Sequence, residues 1–399
     1  MTESFDALWS AILPIGRSAA TGGYRRYALT EEDRLLREWF AGEAAHRGLT
    51  LTEDRMGNQW AWWGDPDQRA GVVTGSHLDS VPDGGAFDGP LGVVSAFAAI
   101  DRLRDQAFEP SRPIGVVNFT DEEGARFGVA CAGSRVITGA LPAERALGLV
   151  DRDDIPMAEA FRSAGRSPDT IGSDPQTLRR VGSFVELHIE QGRSLAQLGN
   201  AVAIGTSIWP HGRWRLDFPG EANHAGTTPL EDRRDAMIGF AETVLAARAV
   251  AKRQYGLATI GRVQVQPGAV NAIPSAVTAW LDARAPDETT VQRMVAEIEG
   301  MAAVHGGELT SESWTGQTIF APGLTGRLRT ALGDVPVLST GAGHDAGILA
   351  AAGIPAAMIF VRNPTGVSHS PAEWAERGDC LAGVRALATV LADLAGAEG

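Results

Sequence analysis

The chain has 399 residues, 44% of them hydrophobic and 21% charged, which is ordinary for a globular protein and enough for two domains. A formal charge of −14 argues against nucleic acid and anionic membrane as partners, although a few local arginines can still hold an anionic substrate. Two cysteines without a CxxC predict a reducing, cytoplasmic setting and no thiolate metal site. The N-terminal MTESFDALWSAIL lacks a basic region followed by a long apolar stretch, so no secretion signal is expected, and no apolar run is long enough to span a bilayer.

Phe5–Leu13 reads as a short amphipathic helix. Thr30 is placed to cap a second helix that opens on Glu31, Glu32 and Asp33 and runs to about His46. Leu49–Arg55 and Gln59–Trp63 read as strands joined by a turn at Gly57-Asn58. The run GVVT at residues 71–74 reads as a buried strand. His77 and Asp79 follow it, and a Gly/Pro-rich loop then delivers Asp88 just before a helical pattern over residues 92–104. Arg112–Thr120 is a second buried strand, ending in Asp121-Glu122-Glu123. Helices are expected at 134–138 and 156–164, then a polar linker to Arg180. Gly182–Ile189 is a strand carrying Glu186 and His188. This alternation predicts an α/β domain with a mostly parallel central sheet covered on both sides.

The texture changes near Gly205. Strands at 213–218, 258–265, 276–282 and 307–314 and helices at 232–252 and 288–305 fall in the order β-α-β-β-α-β, the ferredoxin-like arrangement. The α/β texture returns after Pro322 and closes with a helix at 379–394. The expected organisation is therefore a discontinuous domain of residues 1–206 and 321–399 with residues 207–320 inserted as a second, smaller domain.

His77 and Asp79 sit at the carboxyl end of a buried strand, where ligands gather in open α/β sheets. Asp79, two residues on, is placed to accept the far ring N–H of a metal-bound His77. One of the adjacent Glu122 and Glu123 can bind metal while its neighbour holds a water as general base, although adjacent glutamates are more often a solvated turn. His188 and His369 taken singly are more often a core and a surface histidine. Together, His77, Asp88, Glu123, His188 and His369 are too many ligands for one catalytic zinc. They suit two metals sharing a carboxylate, with a bridging water made acidic enough to attack near neutrality.

The segments GSHLDSVPDGGAFDGPLGV, DEEGARF, ELHIEQG, NHAGTTP, NAIPS with the later LDAR, GAGHDA and GVSHSPAE occur in one order over nearly the whole chain. In these it resembles the M20 metallopeptidase-like amidohydrolases, in particular the hydantoinase/carbamoylase group. The resemblance implies two divalent ions, zinc or manganese with cobalt or nickel as further candidates. It implies His77, Asp88 and His188 as one ligand set, Asp88, Glu123 and His369 as the other, Glu122 as general base and Asp79 as partner of His77. It further implies that His224 polarises the scissile carbonyl, that Asn271 and Arg284 bind the substrate carboxylate, that Gln191 contacts the ureido group, and that the inserted domain is a lid that pairs two subunits. His344 and Asp345 are expected beside the metals without ligating them. The implied reaction is hydrolysis of the ureido C–N bond of an N-carbamoyl-L-amino acid or allantoate. A dipeptidase or aminoacylase of the wider family and a non-catalytic relative are the alternatives. The chain departs from the group in NQWAWW at 58–63 and in IWPHGRW at 208–214. The second reads as packing where the inserted domain begins, or as Trp209 and His211 shaping the substrate pocket.

Overall fold

A computed structural model describes residues 2–396. The chain forms two compact units, Met1–Thr206 with Ile319–Leu338 and Gly343–Gly399, and Ser207–Thr318 with Ser339–Ala342. In chain order the first unit opens with α1 (Thr2–Ile12), α2 (Glu31–His46), β1 (Thr50–Glu53), β2 (Gln59–Trp63), β3 (Gly71–His77), α3 (Pro90–Asp105) and β4 (Ile114–Phe119). It continues with α4 (Ala132–Thr138), α5 (Ala143–Leu147), α6 (Met157–Ser163), α7 (Pro175–Arg179), β5 (Val181–Ile189), α8 (Ser194–Leu198) and β6 (Val202–Ile208). The second unit contributes β7 (His211–Pro219), β8 (Asn223–His224), α9 (Ala236–Arg253), β9 (Leu257–Gln266), β10 (Ala272–Ile273), β11 (Ala276–Arg284), α10 (Glu288–Val304) and β12 (Glu308–Thr315). The chain then runs through β13 (Thr318–Ile319), α11 (Pro322–Leu332), β14 (Val337–Thr340), α12 (Asp345–Ala351), β15 (Ala356–Val361) and α13 (Arg377–Ala395).

The large sheet is ordered β1-β2-β4-β3-β5-β15-β6-β13, with β14 also paired to β6. Its centre, β4-β3-β5-β15, is parallel. The flanking pairs β1–β2, β2–β4 and β15–β6 are antiparallel. The central strands are buried almost end to end, as strands covered on both faces must be. On β5, Val185, Leu187 and Ile189 pack into the core cluster with α3 and α13. Glu186 and His188 alternate with them and so face the other side of the sheet.

Three local expectations need correction. The β1–β2 connection is not a two-residue turn but a five-residue one built by Asp54. Its Oδ1 accepts the backbone N–H of Met56, Gly57 and Asn58, and its Oδ2 accepts from Asn58 Nδ2 and Trp60 Nε1. Thr30 does not cap α2 with its side chain. Its hydroxyl donates to Tyr27 O at 2.8 Å, while the Asp33 carboxylate reaches back to Leu29 N at 2.8 Å. The linker before Arg180 contains α7, capped by Asp174 accepting from Thr177 N.

The second unit is built on an antiparallel sheet ordered β12-β7-β11-β9. Burial alternates along β11 and β7, and the inward residues Leu216, Phe218, Val277, Ala279 and Leu281 pack with Val291, Met294 and Ile298 of α10. Apart from the short β8–β10 pair, the succession is β-α-β-β-α-β.

Trp60 is fully buried, packs edge-on to Phe119 and donates to Asp54. Trp60→Ala is expected to destabilise the protein by about 3–5 kcal/mol, read as an earlier urea midpoint with an unchanged slope.

Candidate metal centre

The carboxyl ends of the parallel strands converge on one carboxylate. β3 ends at His77 and β5 carries His188 at its penultimate position, while the segment after β4 supplies Glu122 and Glu123 and the loop after β15 supplies His369. Asp88, just ahead of α3, lies between them. Its Oδ1 is 3.1 Å from His188 Nε2 and 3.6 Å from His77 Nε2. Its Oδ2 is 3.4 Å from His369 Nε2, which is also 3.4 Å from Glu123 Oε2. Two groups of ligand atoms result, His77–Asp88–His188 and Asp88–Glu123–His369, each with its atoms within 4.8 Å of one another.

The donor chemistry fits two divalent cations. His188 Nδ1 lies 2.8 Å from the Ile189 carbonyl and His77 Nδ1 lies 3.1 Å from the Asp79 carbonyl. A carbonyl only accepts, so both rings carry a proton on Nδ1, which leaves Nε2, turned towards Asp88, as the atom that would bind a cation. Both Nε2 atoms are buried and without a hydrogen-bond partner, as is Glu123 Oε1. Buried polar atoms without a partner are costly, and a bound cation would give these one.

The electrostatics agree. Burial pushes the Glu122 carboxyl well above its ordinary range, and burial followed by the charge of Asp88 brings Glu123 to about 7. Burial likewise raises Asp345 to about 8 and Glu373 to about 7. For Asp88 burial is again the largest influence, but the surrounding His188, His369 and His77 together outweigh it and hold the carboxyl well below its usual range. His369 rises to about 9, chiefly through its bond to Asp88. So many buried acids within reach of one another lack compensating positive charge.

The neighbours of the ligands are as specific as the ligands. Asp79 meets His77 Nδ1 with its backbone carbonyl at 3.1 Å and its nearer carboxylate oxygen at 3.5 Å. The carboxylate also accepts the backbone N–H of Glu122 at 3.1 Å and of Glu123 at 3.0 Å, which pins the glutamate pair. Glu373 is a further residue at the site that the motifs did not single out. Its Oε1 accepts from the backbone of Phe87 and Asp88, and the Ser368 hydroxyl lies between the two carboxyl groups, 2.9 Å from Asp88 Oδ2 and 3.1 Å from Glu373 Oε2. The signal was present in SPAE, as an acid in a Ser/Pro turn close to a ligand. Gln191 Nε2 donates to Asp88 Oδ2 at 2.9 Å, leaving its Oε1 unpartnered. Gly89 has φ +82°, and a Cβ there would lie 2.4–2.6 Å from three atoms of the His77 ring.

A third group, Glu186–His188–His344, also has its atoms within 4.8 Å. Glu186 is already occupied by Ser76 Oγ at 2.7 Å and Ala346 N at 3.1 Å, so His344 stands as a neutral imidazole beside His188, its pKa held well below the ordinary value by burial. Asp345 is buried with Oδ1 bonded to Ser134.

His224, Asn271 and Arg284 belong to the second unit. His224 lies on β8 opposite Ala272 of β10, Asn271 immediately precedes β10 with its carbonyl accepting from Ala225 N, and both residues are exposed. Arg284 ends β11 with Nε and Nη2 on the Asp282 carboxylate at 2.7 and 2.9 Å and Nη1 on Gly341 O at 2.7 Å. Trp209 Nε1 donates to Ser339, and His211 Nδ1 lies 3.1 Å from Trp209 O.

The profile of peptidase family M20/M25/M40 matches residues 73–393. An N-carbamoyl-L-amino acid amidohydrolase of Geobacillus stearothermophilus is 38% identical, with 98% of this chain and 99% of that protein aligned. An allantoate amidohydrolase of Escherichia coli (strain K12) is 31% identical over 94% of this chain and 93% of its own. Among solved structures, an amidase of the hydantoinase/carbamoylase family from Burkholderia multivorans superposes with a TM-score of 0.88 at 31% identity, covering 100% of this chain and 99% of that one.

Gly89→Ala is expected to displace the His77 ring, so metal analysis of the purified variant should show loss of one of two ions and activity should fall with it. In the metal-free protein, Glu123, Glu373 and Asp345 hold protons to about 7, 7 and 8 and His369 to about 9, against about 4 and 6.5 in an unfolded chain. The folded state then binds more protons than the unfolded one over roughly pH 5–8, so its stability falls as pH rises. His344 opposes this only below about pH 6.5, where the unfolded ring takes up a proton. Calorimetry in chelator should show Tm falling from about pH 6 to about pH 8.5, and the stabilisation given by added zinc or manganese growing over that range because cations compete with those protons.

Proposed function

The chain belongs to peptidase family M20/M25/M40, and on that premise we propose that it hydrolyses the ureido C–N bond of a small carboxylate-bearing ureide, an N-carbamoyl-L-amino acid or allantoate, releasing ammonia and carbon dioxide. Its relatives are amidohydrolases acting on carbon–nitrogen bonds other than peptide bonds, and it is a hydrolase of that kind. The observation that carries the reading is Asp88, whose two oxygens face separate histidine sets. His77, Asp88 and His188 would hold one divalent ion and Asp88, Glu123 and His369 the other, zinc or manganese by the nitrogen and oxygen donors offered. Bound there, the pair supplies Lewis acidity towards water and the ureido oxygen.

The chain's own groups do the rest. Glu122 is buried with Oε2 3.8 Å from His77 Nε2 and its carboxyl raised, as suits a group that takes a proton from the attacking water and returns it to the leaving nitrogen. Asp79 keeps the backbone of that glutamate in place, and Gln191, with a free carbonyl oxygen, is assigned to the ureido N–H. His224 is assigned to the ureido oxygen, which develops negative charge. Asn271 and Arg284 are assigned to the substrate carboxylate. Three of the five guanidinium N–H groups of Arg284 are occupied by Asp282 and Gly341, which stiffens the fork and leaves donors for an anion. Residues 207–320 are read as a ferredoxin-like lid and dimerisation domain inserted in the catalytic domain of residues 1–206 and 321–399, supported by the β-α-β-β-α-β succession and by apolar residues exposed on its edge strand β9, Leu257 and Val263. No described helix is long and apolar enough to cross a membrane, and a cytoplasmic homodimer is the proposed state.

Ammonia release should be measured from N-carbamoyl-L-amino acids, allantoate and β-ureidopropionate, beside free amino acid from dipeptides and N-acyl amino acids. One of the first two ureides is expected to give the highest kcat/KM; faster turnover of a dipeptide would overturn the substrate class. Glu122→Gln is expected to lower kcat by about 10²–10⁴ while retaining both ions, and full activity in that variant would remove Glu122 from the proton transfer.

A further inference from the structure

Glu122 has one carboxylate oxygen towards His77 and the other turned inward, and the inward one has a partner. Cys131 Sγ lies 3.3 Å from Glu122 Oε1 in a fully enclosed position. The cysteine is held there by backbone. Its N–H donates to Glu122 O at 2.5 Å, and the next two N–H groups donate to Asp121 O and Thr120 O at 3.0 and 2.9 Å, so the start of α4 is laced antiparallel to the segment that carries the glutamates. Cys131 precedes α4 with φ +54°, a left-handed conformation that favours glycine. A side chain at this position is therefore present at a cost in backbone strain, and what the side chain touches is Glu122.

The thiol carries a proton to give. Burial, and next to it the negative charge of Glu122, keep Cys131 protonated well past its usual range. A thiol has one hydrogen, and towards Glu122 in the ionised form that a base requires, S–H donates to Oε1.

We infer that Cys131 is a positioning residue for the general base: its S–H holds Glu122 Oε1, which sets the rotation of the carboxylate and leaves Oε2 as the oxygen that exchanges protons with water and the leaving nitrogen. The inference rests on the reading of Glu122 as the proton carrier. It separates two acids in the same place: the Ser134 hydroxyl donates to Asp345 Oδ1 and the Cys131 thiol to Glu122 Oε1, so each buried acid has its own donor on α4 or at its start. A lost positioning bond of this kind acts on kcat and leaves substrate affinity alone.

The test uses Cys131→Ala and Cys131→Ser in the full chain loaded with zinc or manganese. Both keep a Cβ at the strained φ and are close in size, but only serine can donate. The expected result is a kcat about tenfold lower in alanine with KM within about twofold, and a serine variant within about threefold of wild type. The infrared S–H stretch gives an independent readout: the band removed by Cys131→Ser belongs to this thiol, the remaining one to Cys380, and Glu122→Gln should shift the first and leave the second. Equal activities of the alanine and serine variants, or a fall in kcat that follows lost metal, would overturn the inference. So would a Cys131 band that Glu122→Gln does not move. If that band moves while Glu122→Gln stays fully active, the bond stands and it is the reading of Glu122 as base that fails.

Discussion

Asp88 must present each of its oxygens to a different pair of partners from a position shut off from water. A buried carboxylate can be held in that way only if its backbone and both its faces are fixed in advance, because in a low dielectric any rotation strands a charge. The chain meets this demand from several separate directions. The Asp88 N–H is tied to Glu373, its Oδ2 is approached by Ser368 and Gln191, and its Oδ1 stands opposite two histidines whose rings are locked by backbone carbonyls. The parallel sheet makes these directions available, since it ends several strands at one edge and lets each deliver a single side chain.

The surrounding acids show the same logic at one remove. Glu122, Glu123, Asp345 and Glu373 are all raised by burial, which the fold tolerates because each has a fixed donor or a cation site within reach. Asp79 accepts two backbone N–H groups with its carboxylate and so fixes the backbone of Glu122 and Glu123. Gly89 lets α3 begin against the His77 ring, where any Cβ would collide. These residues hold the candidate ligand set rigid, and a metal site depends on such neighbours as much as on its ligands.

Much of this was legible beforehand. The apolar runs before His77, Glu122 and His188 announce strands covered on both faces, and the polar residues at their ends mark the edge at which they gather. The order of elements in 207–320 was readable because alternation along β7 and β11 and the longer period of α9 and α10 are strong local signals. Thr30 and the turn at Gly57-Asn58 were misjudged because short polar side chains choose among several nearby backbone partners, and neighbours in space decide which. Thr30 stays at the N-cap position but turns its hydroxyl to Tyr27 O while Asp33 takes the Leu29 N–H, and Asp54 took three successive N–H groups that a two-residue turn would have left elsewhere.

By itself the sequence determined which residues can carry the chemistry, since a histidine or glutamate is a ligand or base by its own composition, and which segments must be strands, since hydrophobic periodicity is local. Only the tertiary structure decided that the Asp79 carboxylate holds the glutamate backbone, that Glu373 anchors Asp88 from 285 residues away, and that a thiol sits against Glu122. Hydrogen bonds are directional and short-ranged, so their partners are set by where the backbone ends up, and that is a property of the whole packed sheet rather than of any stretch of chain.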